Sequence, residues 1–275
     1  LIKIQTLNTS YDLLKIMQIN LFGKTALVAG STQGIGKASA IELSKAGAQI
    51  ILVARNEIKL QETISLLDTS QKQQHSYLVA DFSKPQNLQM ALQKLQQPVH
   101  ILVNNTGGPP PGQAITAQLD EFLQAFQSHL LCNQILVQHT LSSMQEAKYG
   151  RIINIISTSV KQPIKGLGVS NTIRGAVANW AKTLSVELAP FGITVNNVLP
   201  GATLTGRLEA IIHKTAQTKN MTLKDASEEM QKEIPAGRFG TPEEVAYGVV
   251  FLASQQAAYI NGTNLVIDGG RTQSL

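Results

Sequence analysis

From Thr25 onward the chain alternates short runs of β-branched apolar residues with longer stretches of helical period. That alternation is the pattern of a parallel sheet whose crossovers are helices. The runs that read as strands are Thr25 to Ala29, Gln49 to Ala54, Ser76 to Ala80, Ile101 to Asn104, Arg151 to Ile156, Thr194 to Leu199 and Asn264 to Ile267. Several are apolar almost throughout, as expected where helices cover both faces of the sheet. The expected fold class is therefore α/β, a doubly wound parallel sheet of these seven strands with helices on both faces. Helices are expected at Ile35 to Ala46, stopped by Gly47, and at Pro242 to Ser254, capped by Thr241 and opened by Pro242. Shorter helical stretches at Leu204 to Gln217 and Leu223 to Lys232 fall between the last two strands and predict a small lid at about 203–237.

No linker interrupts the pattern, so residues 21–275 read as one domain, long enough to bury a substantial core. Residues 1–20 have no place in it. The chain begins with Leu1, and Met17 lies just before Leu21-Phe22-Gly23-Lys24, so this stretch is expected to be an extension, with translation starting at Met17. With 43% hydrophobic and 15% charged residues, extensive disorder is excluded. Cys132 is the only cysteine, which excludes an intrachain disulfide and a thiolate metal cluster; a reducing cytoplasm fits, and no metal site is expected. The longest apolar runs, such as Ile50 to Ala54 and Val249 to Ala253, fall far short of the ~20 residues of a membrane span. The formal charge is +5, but Lys and Arg are scattered, so neither a membrane nor a nucleic-acid partner is expected.

Directly after the first strand, Gly30-Ser31-Thr32-Gln33-Gly34-Ile35-Gly36 leads into the first helix. Such a turn cradles phosphate because glycine allows close backbone approach and a helix N-terminus attracts anions. Alone it is a weak signal, because a glycine-rich turn can also be purely structural. Further motifs follow other strands: Asp81-Phe82 after the third, Asn104-Asn105-Thr106-Gly107 after the fourth, Pro200-Gly201 and then Thr203 after the sixth, and Asp268-Gly269-Gly270 after the seventh. All lie at C-terminal strand ends, where ligands of open α/β sheets bind. Together, from about Leu21 to Gly270, they resemble the short-chain dehydrogenase/reductase family. The stretch Gly237 to Ala246 is similar to its oxoacyl-carrier-protein reductase branch.

The resemblance implies a Rossmann-type fold, an NAD(P) cofactor, hydride transfer on a small-molecule carbonyl or alcohol, and a homodimer or homotetramer. It implies that Asp81 holds the adenine, that Asn104, Thr106 and Gly107 line the riboses, and that Pro200, Gly201 and Thr203 border the nicotinamide. Each has a plain structural alternative, a helix cap or a strand-ending turn. At the end of the second strand stand Ala54-Arg55-Asn56. A carboxylate there would favour NAD, and an arginine accepts the 2′-phosphate, so NADP (NADPH) is preferred, with NAD the lesser choice.

The family pattern breaks at the catalytic positions. The resemblance implies a Ser after the fifth strand, a Tyr and a Lys one turn apart in the next helix, and an Asn in the preceding helix. Ser157 fills the first. Ser170 stands for the Tyr, Arg174 for the Lys and His129 for the Asn, and none of Tyr11, Tyr77, Tyr149, Tyr247 and Tyr259 lies in that helix. An aliphatic hydroxyl is far less acidic than a phenol, and arginine stays protonated. His129 is chemically the best proton shuttle among the substitutes, although a lone histidine on a helix is more often structural, and Lys161, four residues after Ser157, could reach the site but reads more readily as solvated. The leading reading is an NADP-dependent reductase of a carbonyl compound with non-standard catalytic residues; the alternative is a weak or inactive NADP-binding sensor or partner protein.

Overall fold

The computed structural model describes residues 19–274. Strands β1 (Thr25–Ala29), β2 (Gln49–Ala54), β3 (Ser76–Val79), β4 (Ile101–Asn104), β5 (Gly150–Ile155), β6 (Ile193–Pro200) and β7 (Asn264–Ile267) form one sheet in the order β3-β2-β1-β4-β5-β6-β7. Every neighbouring pair is parallel. The crossovers and flanks are α1 (Gly34–Lys45), α2 (Glu57–Ile64), α3 (Pro85–Leu92), α4 (Leu119–Phe126), α5 (Cys132–Glu146), α6 (Gly168–Leu188), α7 (Gly206–Lys219), α8 (Leu223–Lys232) and α9 (Pro242–Ala253). The chain is thus a Rossmann-type doubly wound fold.

The boundaries differ from the sequence expectation by one or two residues, each for a local reason. β5 begins at Gly150, where a Cβ would lie 2.7 Å from Ile193, so only glycine lets β5 approach β6 there. α1 ends at Lys45 because Gly47, at φ +98°, turns the chain; the Gly47 and Ala48 N–H groups donate to the Ser44 and Leu43 carbonyls at 2.9 and 3.0 Å. α7 begins at Gly206, two residues late, because the Thr205 hydroxyl caps it by accepting from the Leu208 N–H.

The core has two layers, one on each sheet face. Leu43 of α1 and Val249 of α9 pack with Val28 and Leu52, while Leu88 of α3, Leu136 of α5 and Ala181 of α6 pack with Leu27, Ile51 and Ile152. Each such aliphatic side chain contributes about 1.5–3 kcal/mol. Leu21 is buried and its N–H donates to the Ala46 carbonyl, and Ile19, which the sequence reading assigns to the extension, packs against the same core layer; Met17 and the rest of the expected extension to residue 18 lie outside the described residues. Among the described residues no helix is long and apolar enough to cross a membrane, and no cluster of side chains suits a metal ion.

One polar feature runs through this apolar sheet. Asn104, Asn154, Asn197 and Asn264 are in register on β4, β5, β6 and β7. Asn104 donates to Asn154 at 2.8 Å, Asn154 to Asn197 at 2.9 Å and Asn197 to Asn264 at 2.8 Å. A slip by one residue would turn each amide to the opposite face, so the ladder fixes the register beneath the C-terminal strand ends.

Candidate active site

The strand order reverses between β1 and β4, and the crevice of a doubly wound sheet opens at such a reversal. A cavity of about 880 Å³ lies there, walled by the turn after β1, the loops after β4, β5 and β6, and the lid helix α7. Gly30, Gln33, Gly34 and Ile35 line it, whereas Ser31, Thr32 and Gly36 do not. Gly30 and Gly34 have φ of +59° and +52°. Gly36 is required by contact, since a Cβ there would lie 2.2 Å from the Gly30 carbonyl oxygen. Ser31 is fully buried. Gln33 precedes α1 without capping it by a side-chain hydrogen bond. The first N–H groups of α1 are thus free for an anion. A dinucleotide pyrophosphate fits this cradle.

The residue after β4 that holds the turn is Asn105, and the sequence had pointed to Asn104. Asn105 donates its amide to the Ala29 and Gly30 carbonyls at 3.3 and 3.1 Å and lines the cavity. Asn104 is buried in the asparagine ladder and does not reach it. Thr106 and Gly107 line the cavity as expected, and so does Gly108, which had not been singled out. Pro200, Gly201 and Thr203 do as well. Gly201 passes so close to Asp268 that a Cβ would lie 2.6 Å from it, and the Thr203 hydroxyl donates to the Gly201 carbonyl at 3.1 Å.

At the far end of the sheet Arg55 is exposed just past β2. Asp81 accepts the Ser83 N–H at 2.9 Å, which lowers its pKa, with Arg55 and Lys84 adding to the effect. Its geometry is that of a turn-closing carboxylate beside Arg55. Phe82 packs on the core, and its carbonyl accepts the Cys132 thiol at 3.3 Å. Burial pushes that thiol up to about 12, which disfavours the nucleophilic thiolate.

Ser157, Ser170 and Arg174 line one stretch of cavity wall. Ser157 accepts the Ser159 N–H at 3.1 Å, which leaves its own proton to donate. Ser170 has no hydrogen-bond partner among the described residues, so its hydroxyl is available to a ligand. Arg174 is 8% exposed and donates to the Ile155 carbonyl at 2.9 Å. Burial first, and the charge of Arg207 second, lower its pKa to about 10, so it is still protonated at neutral pH.

His129 lies in a π-helical turn, Gln127–Leu131, between α4 and α5. It is buried behind Thr106, with 2.5 Å between its Nδ1 and the Thr106 hydroxyl, and does not line the cavity. Burial, with Arg174 and Arg207 adding repulsion, holds its pKa well below the usual value. The side chain proposed from sequence as the best proton shuttle is therefore a neutral ring one residue removed from the cavity. Lys161 does not line the cavity either; Lys165 does.

Sequence reasoning also missed Arg207. It sits in the first turn of α7, at the cavity mouth, and donates to the Gly108 and Pro109 carbonyls at 3.0 and 2.9 Å. The signal was a cation placed where the helix dipole disfavours one.

Comparison with known proteins agrees with this geometry. The family profile described as Enoyl-(Acyl carrier protein) reductase matches residues 29–272. The chain belongs to the short-chain dehydrogenase/reductase family. Within that family it is 34% identical to an uncharacterized oxidoreductase of Bacillus subtilis, YvaG, over 94% of this chain and 100% of that one. It is also 34% identical to the 3-oxoacyl-[acyl-carrier-protein] reductase FabG of Rickettsia prowazekii, over 92% of this chain and 98% of the relative, which places it in the oxoacyl-carrier-protein-reductase-like branch. Among solved structures, the L-sorbose reductase of Gluconobacter frateurii, complexed with NADPH and L-sorbose, superposes with a TM-score of 0.88 at 27% identity, covering 94% of this chain and all of that one.

Proposed function

We propose that the chain is an NADPH-dependent reductase of a carbonyl compound in which two serine hydroxyls and an arginine stand in for the usual tyrosine and lysine. The observation that carries this reading is the continuity of one cavity from the uncapped N-terminus of α1 to the wall formed by Ser157, Ser170 and Arg174. The NADPH-complexed sorbose reductase supports the choice of cofactor. The first turn of α1 receives the pyrophosphate, and Arg55 receives the 2′-phosphate.

When bound, NADPH supplies the hydride, so this chain has to orient the carbonyl and manage the charge that develops on its oxygen. Ser157 donates to that oxygen, because its hydroxyl proton is free while its oxygen accepts the Ser159 N–H. Ser170 adds a second donor. Arg174, buried and held against β5 by the Ile155 carbonyl, supplies a fixed positive charge that stabilises an oxyanion on the carbonyl. None of these groups titrates near neutrality, so the proton comes from solvent. Loss of general-acid help costs roughly 10²- to 10⁴-fold in rate, and the reading accordingly predicts a slow enzyme on a reactive carbonyl.

A specific observation also favours a second reading, NADPH binding without turnover: His129, the proton relay the sequence offers, is neutral and screened by Thr106. Steady-state NADPH oxidation against a panel of ketones, quinones and acyl thioesters separates the two. Oxidation with any of them supports the reductase, and tight NADPH binding with no oxidation supports the sensor.

The same proposal includes a homodimer or homotetramer, supported by Leu119, Leu123 and Phe126, which are exposed along one face of α4. It also includes a cytoplasmic location, which the single free thiol fits.

A further inference from the structure

The charges around the cavity are one-sided. Its lining includes six cations, Lys165, Arg174, Arg207, Lys214, Lys219 and Arg271, against two carboxylates, Glu229 and Glu233. Both carboxylates are already paired, Glu229 with Lys219 at 2.5 Å and Glu233 with Arg271. Among the described residues, Lys165, Arg174, Arg207 and Lys214 have no carboxylate within salt-bridge distance.

Arg174 is the most telling of the four. Charged side chains are rarely buried without an ionic partner, because the solvation lost has to be replaced. Arg174 is 8% exposed, and its one hydrogen bond among the described residues goes to a neutral carbonyl. Arg207 faces the same cavity and repels it. It too spends its bonds on neutral acceptors, the Gly108 and Pro109 carbonyls, and a guanidinium carries five donors, so several remain. The cofactor phosphates have their own reception at the first turn of α1 and at Arg55. None of the four free cations belongs to the glycine turn, to α1 or to the end of β2.

We infer that the carbonyl substrate is itself an anion, an oxo acid whose carboxylate is held between the guanidinium groups of Arg174 and Arg207, Arg174 giving the free edge of its fork to the carboxylate and a remaining N–H to the carbonyl oxygen beside it. The inference rests on the reductase reading and narrows its substrate class. It explains why arginine occupies position 174: the planar fork binds a carboxylate through two bonds where lysine offers a point charge. Lys165 and Lys214 extend the positive field to the cavity mouth and draw anions in.

The test is calorimetric titration of the NADP-loaded protein with pyruvate, acetoacetate and levulinate, each against its methyl ester, with NADPH oxidation measured on the same six compounds. At least one acid is expected to bind about tenfold or more tightly than its ester, the scale of one charge-assisted pair. Arg207→Gln should remove most of that preference while NADP affinity stays within about twofold. Acids binding no better than esters overturn the inference. So does an Arg207→Gln variant that loses NADP affinity and keeps the preference for acids, because Arg207 would then serve the cofactor. The two readings fail separately. Preferential acid binding without oxidation of NADPH upholds the anion site and removes the reductase. Equal reduction of acids and esters upholds the reductase and removes the anion site.

Discussion

The guanidinium of Arg174 is tied to the carbonyl of Ile155, at 2.9 Å, the last residue of β5. That bond fixes the charge one helical turn beyond Ser170, on the cavity wall that also carries Ser157. The position is thus strapped to the sheet on the cavity wall. The replacement of lysine by arginine is a change of geometry, because a flexible ammonium is exchanged for a planar fork anchored at one prong.

If the pocket has kept the family geometry and lost only its acid, Ser170→Tyr with Arg174→Lys should create or raise reduction of a simple activated ketone, by about 10²-fold at the low end of what general-acid help provides. The two positions are four apart on α6 and share a face. Steady-state NADPH oxidation by the parent and the double variant reads this out. A loss of activity with cofactor binding intact would show that Ser170 and Arg174 already serve their own chemistry.

His129 should make the fold sensitive to acid. Its folded pKa is lowered by burial and by the nearby arginines, so below the ordinary histidine value the unfolded chain takes up a proton that the folded chain refuses. Stability is therefore lost as pH falls below about 6.5, by up to about 1.4 kcal/mol per pH unit from this group. His129→Gln, compared with the parent by urea unfolding at pH 7 and pH 5, should lose less on acidification. Parallel losses in the two proteins would contradict the assignment.

The asparagine ladder should carry measurable stability. Asn154→Leu leaves the Asn104 amide without its acceptor and the Asn197 oxygen without its donor, both buried. The expected cost is about 2–4 kcal/mol, seen as a lower denaturant midpoint at unchanged slope. An unchanged midpoint would mean that the ladder adds nothing beyond packing.

Arg55 should set the cofactor preference. Arg55→Asp removes a charge-assisted bond and places like charge beside the 2′-phosphate, so NADPH affinity should fall about tenfold or more while NADH affinity holds or rises. Titration of both nucleotides decides it, and equal affinities in the unmodified protein would remove Arg55 from the site.

The strands were legible because a sheet covered on both faces leaves a continuous apolar run, as in Ile50 to Val53. The cradle was legible because glycine spacing after β1 is a local property. What depends on register or on distant packing was hidden. Asn104 and Asn105 are adjacent, and which of them turns into the sheet is set by the pairing of β4 with β5, so the ladder took the one and the cavity the other. The burial of His129 follows from the π-helical turn that joins α4 to α5, and periodicity alone does not show such a turn. Arg207 reaches the cavity because α7 folds back across the mouth. No local pattern states where a lid helix will dock.

On the proposed reading, this cavity passes hydride from NADPH to a carbonyl carbon. The direct measurement uses NADPH carrying deuterium at the transferable position of the nicotinamide, incubated with the oxo acids and ketones above, followed by mass analysis of the alcohol. Deuterium is expected on the carbinol carbon in an amount matching the NADPH consumed. Tight NADPH binding with no labelled alcohol from any of these compounds would contradict it.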